Sequence, residues 1–537
     1  MPLSTHKLRA LALLVVVIAF GLAATTASSK GTGAAASQDA TTLTIAVPSD
    51  AQTLDPAYAN FIQAHWAIQQ IYDTPVNLKT TKSGSSLIAR SSNIEGMIFK
   101  SWKRSADGLT YTVQLRDGVK FHDGTPLTAE AVKWTFDRNQ KTKGGMNWLL
   151  NNIAFLNKPA KVVGPLTIEL KASKPSVLAI QALYMAGGGI LDPASVKGKA
   201  TAKDPWAEKW LSKNASNGTG PYRLVQRIPD QELVFEANEN YWAGAPKIKK
   251  IVWKVVPSAA QRLSLLRTGA VDLADGLTPD QLASLEGTSG VKVVRFPSDT
   301  QALVGLNNTK PPFDNKVLRQ AVANAIDYNG ILKDVFRGNA QRTYGPIVTG
   351  SPFVVPPSTG YKLNAANAKK LVQQSGFGGD KVTLSIDSSR VILQEIAVRV
   401  KAQLDAVGIP VEIEQLTPAV YAERLAKKDL TMYVDTMLPW ISDPNYVMSL
   451  LYQCGVFGNY VGYCNKEVDK IITAGWAEAN EAKRKAMFAR AQKLIISDSP
   501  YVWLAQPSYE IAMRDTVSGF VHRQNEIPWF YNMSKSS

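Results

Sequence analysis

Between residues 382 and 413 the chain reads as a strand (382–386), a helix (392–406), a stop at Gly408 and a second strand (411–413). Two strands joined through a helix lie parallel, and such crossovers are right-handed. A parallel strand pair needs cover, so this unit commits the chain to a sheet packed with helices. The other periodic segments agree. Residues 42–47 (TLTIAV) alternate as a strand, at an exposed edge or buried, and Asp55-Pro56 breaks it before a helix at 62–72. Residues 111–115 form a strand, and Asp117-Gly118 and Asp123-Gly124 are turns around a second short strand at 119–122. Thr128 caps a helix with Glu130 in its first turn. Further on, 251–256 is a strand, Ser258 caps a helix over 259–267 that ends at Gly269, and Val271-Asp272-Leu273 begins another strand. Asp314 caps a helix with Val317, Leu318, Ala321, Val322 and Ala325 on one face, and a late helix spans 482–496. The fold class is mixed α/β.

The N-terminus restricts where this fold operates. Lys7 and Arg9 precede an apolar run, residues 11–22, and then small residues. That order is a cleavable secretory signal, and the run falls well short of the roughly 20 residues of a spanning helix. Residues 1–36 are therefore a signal peptide and small-residue leader. No cysteine stands near the cleavage region, so the exported chain carries no lipid anchor. The two cysteines, Cys454 and Cys464, meet an oxidising compartment and are expected to form one disulfide around a short loop. About 500 residues remain, enough for about three core-forming units. The net charge of +16 is dispersed, with only short runs such as Lys247-Ile248-Lys249-Lys250. No basic stretch interleaved with aromatics marks a nucleic-acid surface, so no nucleic acid is expected as partner.

Catalytic constellations are missing. Beyond His6 in the leader the histidines are His65, His122 and His522, without metal-ligand spacing, and His65 and His122 read as satisfied structural residues. There is no Gly-x-Ser-x-Gly elbow and no HExxH. Gly187-Gly188-Gly189 lacks the Lys-Ser/Thr of a phosphate loop and reads as a turn. Carboxylates are plentiful, but nothing singles out a glycosidase pair. No cofactor, metal or catalytic residue is expected, and the chain reads as a non-enzyme. An exported hydrolase is the alternative of another class, and a chaperone using a similar cleft is a third.

Several blocks carry a family likeness. Residues 106–137, ADGLTYTVQLRDGVKFHDGTPLTAEAVKWTFD, are the longest. Gly218-Thr219-Gly220-Pro221-Tyr222, the NENYW of 238–242, the LNNTKPPF of 306–313, Leu318-Arg319-Gln320-Ala321 and Ala325-Ile326-Asp327 follow in order. Together with Leu54-Asp55-Pro56 they resemble the extracytoplasmic solute-binding proteins, family 5, of peptide- and nickel-type ABC importers. The resemblance implies a periplasmic-binding-protein-like two-lobe fold with an additional inserted domain and a two-strand hinge. Lobe I would comprise 41–85, 200–300 and 505–537, the inserted domain 86–199, and lobe II 301–504. It implies a monomeric periplasmic protein that holds a small solute, a peptide or a peptide-sized molecule, and presents it to an ABC importer permease. An opine, a glycan or a metal chelate remains the alternative solute.

Peptide binders of that family place an aspartate against the peptide ammonium just before an Asp-Pro pair. Here the segment holds Asp435, Trp440 and Asp443-Pro444, and an ungapped count puts Trp440 at the aspartate's position. A gap would return the role to Asp435 or Asp443. A cleft Trp offers a stacking face or a cation–π contact. On the opposite lobe the loop after Asp55-Pro56 resembles the family's pocket edge, which makes Tyr58, Asn60 and Phe61 candidate ligand contacts. Trp148, in a Gly/Asn-rich stretch, is a further candidate.

Overall fold

The computed structural model describes residues 39–59, 61–84 and 86–536. The leader, its cleavage region and Asn60 lie outside the described residues. In the first half of the chain, β1 (Thr42–Val47) is followed by the hairpin β2 (Val76–Ser83) and β3 (Ser86–Gly96). Next come β4 (Phe99–Arg104), β5 (Thr110–Leu115), β6 (Lys158–Gly164) and β7 (Thr167–Lys171). These last four make a separate sheet in the order β4-β5-β7-β6. The hairpin pairs with Val521–Arg523 near the C-terminus, so the boundary expected at residue 86 falls at the hairpin tip and the separate sheet begins at β4.

The second half supplies β8 (Tyr222–Ile228), β9 (Glu232–Ala237), β10 (Lys250–Val255), β11 (Leu273–Ala274) and β12 (Val291–Pro297). After them come β13 (Gln301–Leu306), β14 (Ala340–Gln341), β15 (Val382–Asp387), β16 (Val411–Leu416), β17 (Met432–Met437) and β18 (Tyr501–Arg514). They join β1 in one twelve-stranded sheet, ordered β16-β15-β17-β13-β18-β11-β1-β10-β9-β8, with β12 and β14 also on β18. β15 and β16 are parallel, Val382 opposite Val411, and the helix Val391–Asp405 crosses between them with Leu393, Ile396, Ala397, Val400 and Leu404 buried. The right of Gly408 to end that unit comes from its φ of +93°.

β18 joins two halves of the molecule that differ from the halves of the chain, one holding β13 and β15–β17 and the other β1 and β8–β12. Its first residues pair with β13, Gly305 opposite Tyr501, and its last with β12, Val291 opposite Arg514. The chain crosses a second time beside it, at residues 298–300 between β12 and β13. Each half has its own core. Leu43, Ile45, Trp66, Phe235, Trp253 and Ile511 pack in one, and Val304, Leu384, Ile396, Val434 and Val502 in the other. A third apolar cluster runs from Val113 and Leu150 through Tyr184 to Tyr446, Tyr452 and Trp503, so packing is continuous across the junction.

Three local expectations change. Residues 119–122 form no strand. An isolated bridge, Lys120 to Pro126, closes the turn, while the His122 amide donates to the Gly218 carbonyl, leaving too few free groups for a ladder. The cap of helix Lys316–Ala325 is Asn315, whose side chain accepts from the amides of Val317 and Leu318, because the Asp314 amide turns back to Lys310. The strand expected from Val271 is confined to Leu273–Ala274, because the Asp272 carboxylate turns aside to accept the Thr44 amide and pair with Lys535.

Candidate functional site

The loop after β1 is tied down by charge. Asp55 caps the turn Pro56–Tyr58 through the Ala57 amide, and Arg138 grips both its carboxylate oxygens at 2.9 and 2.6 Å. Both side chains are fully buried. Burial pushes the Asp55 carboxyl up, and Arg138 opposes it. The same loop fixes the helix Gly145–Asn152. A Cβ on Gly144 would lie 1.9 Å from the Ala57 carbonyl, so only glycine allows the helix to begin there. Trp148 is thereby held over the loop.

Three segments then meet at the junction. Helix Ile62–Ile71 contributes His65, helix Gly145–Asn152 contributes Met146, Trp148 and Leu149, and the segment after β17 contributes Trp440 and Tyr446. With Ala59, Gly145, Met185 and Gly187 they enclose a cavity of about 30 Å³, room for about two waters. His65 meets Trp440 edge-on, ring centroids 4.7 Å apart. Trp148 meets Tyr446 at 6.4 Å and Phe457 at 5.3 Å in the same manner. Polar contacts close the seam: the Tyr184 hydroxyl donates to the Trp440 carbonyl, the Ser442 amide to the Ser91 hydroxyl at 3.1 Å, and the Ser442 hydroxyl to Asp299 in the crossing segment. Burial raises the Asp299 carboxyl to about 7.

His65 is only 1% exposed, and neither ring nitrogen has a hydrogen-bond partner. The Ala59 backbone lies within reach of the ring and favours its protonated form, but burial outweighs it and lowers the imidazole to about 4, and neither nitrogen makes a well-aligned hydrogen bond. The expectation of a satisfied structural histidine therefore fails at His65. It holds at His122, which meets the Gly220 carbonyl at 3.0 Å. The Nε2 of His522 meets the Pro297 carbonyl at 2.7 Å.

The carboxylates expected near the ligand are engaged elsewhere. Asp443 caps helix Pro444–Leu451 through the Asn445 amide and accepts from Arg484 Nη2 with both oxygens, at 2.7 and 2.9 Å. Asp435 is paired with Arg390 at 2.6 Å. Neither lines the cavity. Tyr58 points the other way, donating to Glu208 and accepting from the Lys143 amide, and Phe61 is 56% exposed, outside the wall. Of the described candidates, only Trp440 and Trp148 reach the cavity. His65, Met146, Met185 and Tyr446 join it without any spacing that announced them. Two larger grooves, about 760 Å³ beside Trp210 and about 540 Å³ beside Trp134, lie on the outer surface and contain none of these residues.

Cys454 and Cys464 are disulfide-bonded. Asp469 lies beside them as a third metal-type ligand, but the sulfurs are bonded to each other and Asp469 accepts from the Cys454 amide.

The bacterial extracellular solute-binding proteins, family 5, match residues 93–459. The chain is a family 5 solute-binding protein. This family 5 protein is 31% identical to the probable D,D-dipeptide-binding periplasmic protein DdpA of Escherichia coli K12, over 89% of this chain and 91% of that one. It is 26% identical to the glutathione-binding protein GsiB of E. coli O1:K1, with the same coverage. Its fold matches the dipeptide-binding protein of Pseudoalteromonas sp. SM9913 in complex with Met-Leu, with a TM-score of 0.82 at 20% identity, covering 92% of this chain and all of that one.

Proposed function

We propose that this family 5 protein is the substrate-binding component of an ABC importer and captures a short peptide or peptide-sized solute where its two halves meet. The observation that carries this reading is the seam itself. His65, Trp148 and Trp440 come from three separate segments and line one cavity, and Ser442, two residues after Trp440, is bonded to Asp299 in the crossing at residues 298–300. A solute held there contacts both halves at once, so its binding energy stabilises closure, the state a permease can recognise. The cavity of about 30 Å³ is far below the several hundred needed for a ligand of this size, so the halves must part to admit one. The names of the relatives support a dipeptide- or glutathione-sized solute.

The same reading includes export through the leader, no lipid anchor, a monomeric state and no catalysis. Among the described residues no helix is long and apolar enough to cross a membrane. Native mass spectrometry of the chain, with melting curves across peptides of two to four residues, tests the proposal. A one-to-one complex and a raised melting temperature are expected, about 4 kcal/mol of stabilisation at a thousandfold excess over Kd. Binding confined to a non-peptide solute overturns the peptide assignment, and turnover of any bound solute overturns the non-catalytic one.

A further inference from the structure

The cavity wall is nearly devoid of charge. Trp148, Trp440, Tyr446, Met146 and Met185 supply aromatic and thioether surface, and among the described residues no Asp, Glu, Lys or Arg lines it. The two carboxylates nearest in sequence to Trp440 are held by Arg390 and Arg484. An ammonium lodged here would leave water without meeting a counter-charge, which is strongly unfavourable. One wall residue is nonetheless incomplete: His65, with both ring nitrogens buried and without a well-aligned hydrogen bond, the Ala59 backbone being its one polar neighbour of note. Buried polar atoms are normally satisfied, and an exception points to a partner supplied from outside the fold. A neutral imidazole presents one N–H donor and one lone-pair acceptor. A peptide group presents the complementary C=O and N–H.

Resting on the solute-binding reading above, we infer that His65 is the specificity-determining hydrogen-bond contact of the cavity. The solute end lodged beside Trp440 is then an uncharged amide or acyl group, as in an N-blocked peptide, and not a free ammonium. Burial supports this assignment by keeping the imidazole neutral, its pKa lowered to about 4. Trp440 and Trp148 supply the apolar walls against which the acyl group packs, and His65 supplies direction.

Matched peptide pairs test this. Ala-Ala, Ala-Ala-Ala and Met-Leu, each free and N-acetylated, are titrated calorimetrically into the full chain and into His65→Gln and His65→Leu. The acetylated member of a pair is expected to bind as tightly as the free one or more tightly. His65→Leu should weaken the acetylated ligand about tenfold or more, one hydrogen bond's worth, while His65→Gln, which keeps a donor and an acceptor, retains most of the affinity. The ligand-free His65→Leu protein should melt no lower than the parent, because the substitution removes an unsatisfied group. A residue that merely holds the fold would give the opposite result. A hundredfold loss on acetylation overturns the inference and leaves the peptide reading standing, since a carboxylate must then reach the ammonium. Unchanged affinity in His65→Leu overturns the role of His65. Binding of neither member of any pair overturns both readings.

Discussion

Replacing Asp443 by Asn separates a structural carboxylate from a ligand-binding one. The Arg484 side chain is 9% exposed, lies over the rings of Phe353 and Phe488, and donates through Nη2 to both Asp443 oxygens and to Asn445 Oδ1. Asparagine keeps the helix cap, so the capping contribution of about 1 kcal/mol is retained. What disappears is the counter-charge of a buried guanidinium, a loss of about 3–5 kcal/mol. Arg484→Met should cost a similar amount by stranding the carboxylate, whose burial already pushes it up. The double variant buries neither charge and places a thioether between two phenyl rings, so it should be more stable than either single variant. Urea unfolding followed by tryptophan fluorescence and by circular dichroism measures all four corners of the cycle. Asp443→Asn within about 0.5 kcal/mol of the parent, together with a hundredfold loss of ligand affinity, would refute the structural assignment.

Asp299→Asn should become progressively more stable than the parent as pH rises. The Asp299 carboxyl is raised by burial from 3.8 to about 7. Its contribution is complete below the unfolded value and is lost as pH climbs through 7. Asparagine does not titrate, so the stability difference between variant and parent should shift in the variant's favour by about 2–3 kcal/mol between pH 5 and 8, read from unfolding curves at each pH. Reducing Cys454–Cys464, or replacing both by Ser, should cost about 2–3 kcal/mol, measured in urea with and without reductant, since the bridge closes a loop with sequence separation 10. Gly144→Ala should lower the melting temperature and also weaken ligand binding, because relieving the clash with the Ala57 carbonyl moves the helix that carries Trp148. Unchanged affinity would show that Trp148 does not contact the solute.

The long family block was legible because it encodes local geometry. Thr128 does cap its helix, Tyr111, Val113 and Leu115 do line the buried face of β5, and β15, its helix and β16 follow the expected crossover. The candidate site was less so. Asp443 and Asp435 stood out as carboxylates in the right stretch, yet their partners Arg484 and Arg390 lie 41 and 45 residues away and no spacing links them. His65 sits on a helix buried over Ala64–Ile71, where periodicity cannot distinguish a wall residue from a core residue. Met185 adjoins the glycine run 187–189, which read as a turn, and Met146 lies in the Gly/Asn-rich stretch that pointed to Trp148 without singling out the methionine.

The sequence by itself determined the class of fold, the family and the covalent link between Cys454 and Cys464. Each depends on residues close together in the chain or on the order of short blocks along it, and hydrophobic period, caps and turns are local physics. Tertiary structure alone decided which polar groups of the candidate site are already committed within the fold. Asp435 and Asp443 are neutralised and His65 is left without a well-aligned hydrogen bond only because distant segments pack as they do. Whether a buried group is satisfied depends on what the rest of the chain brings within about 3 Å of it, and that distance is not written in sequence separation.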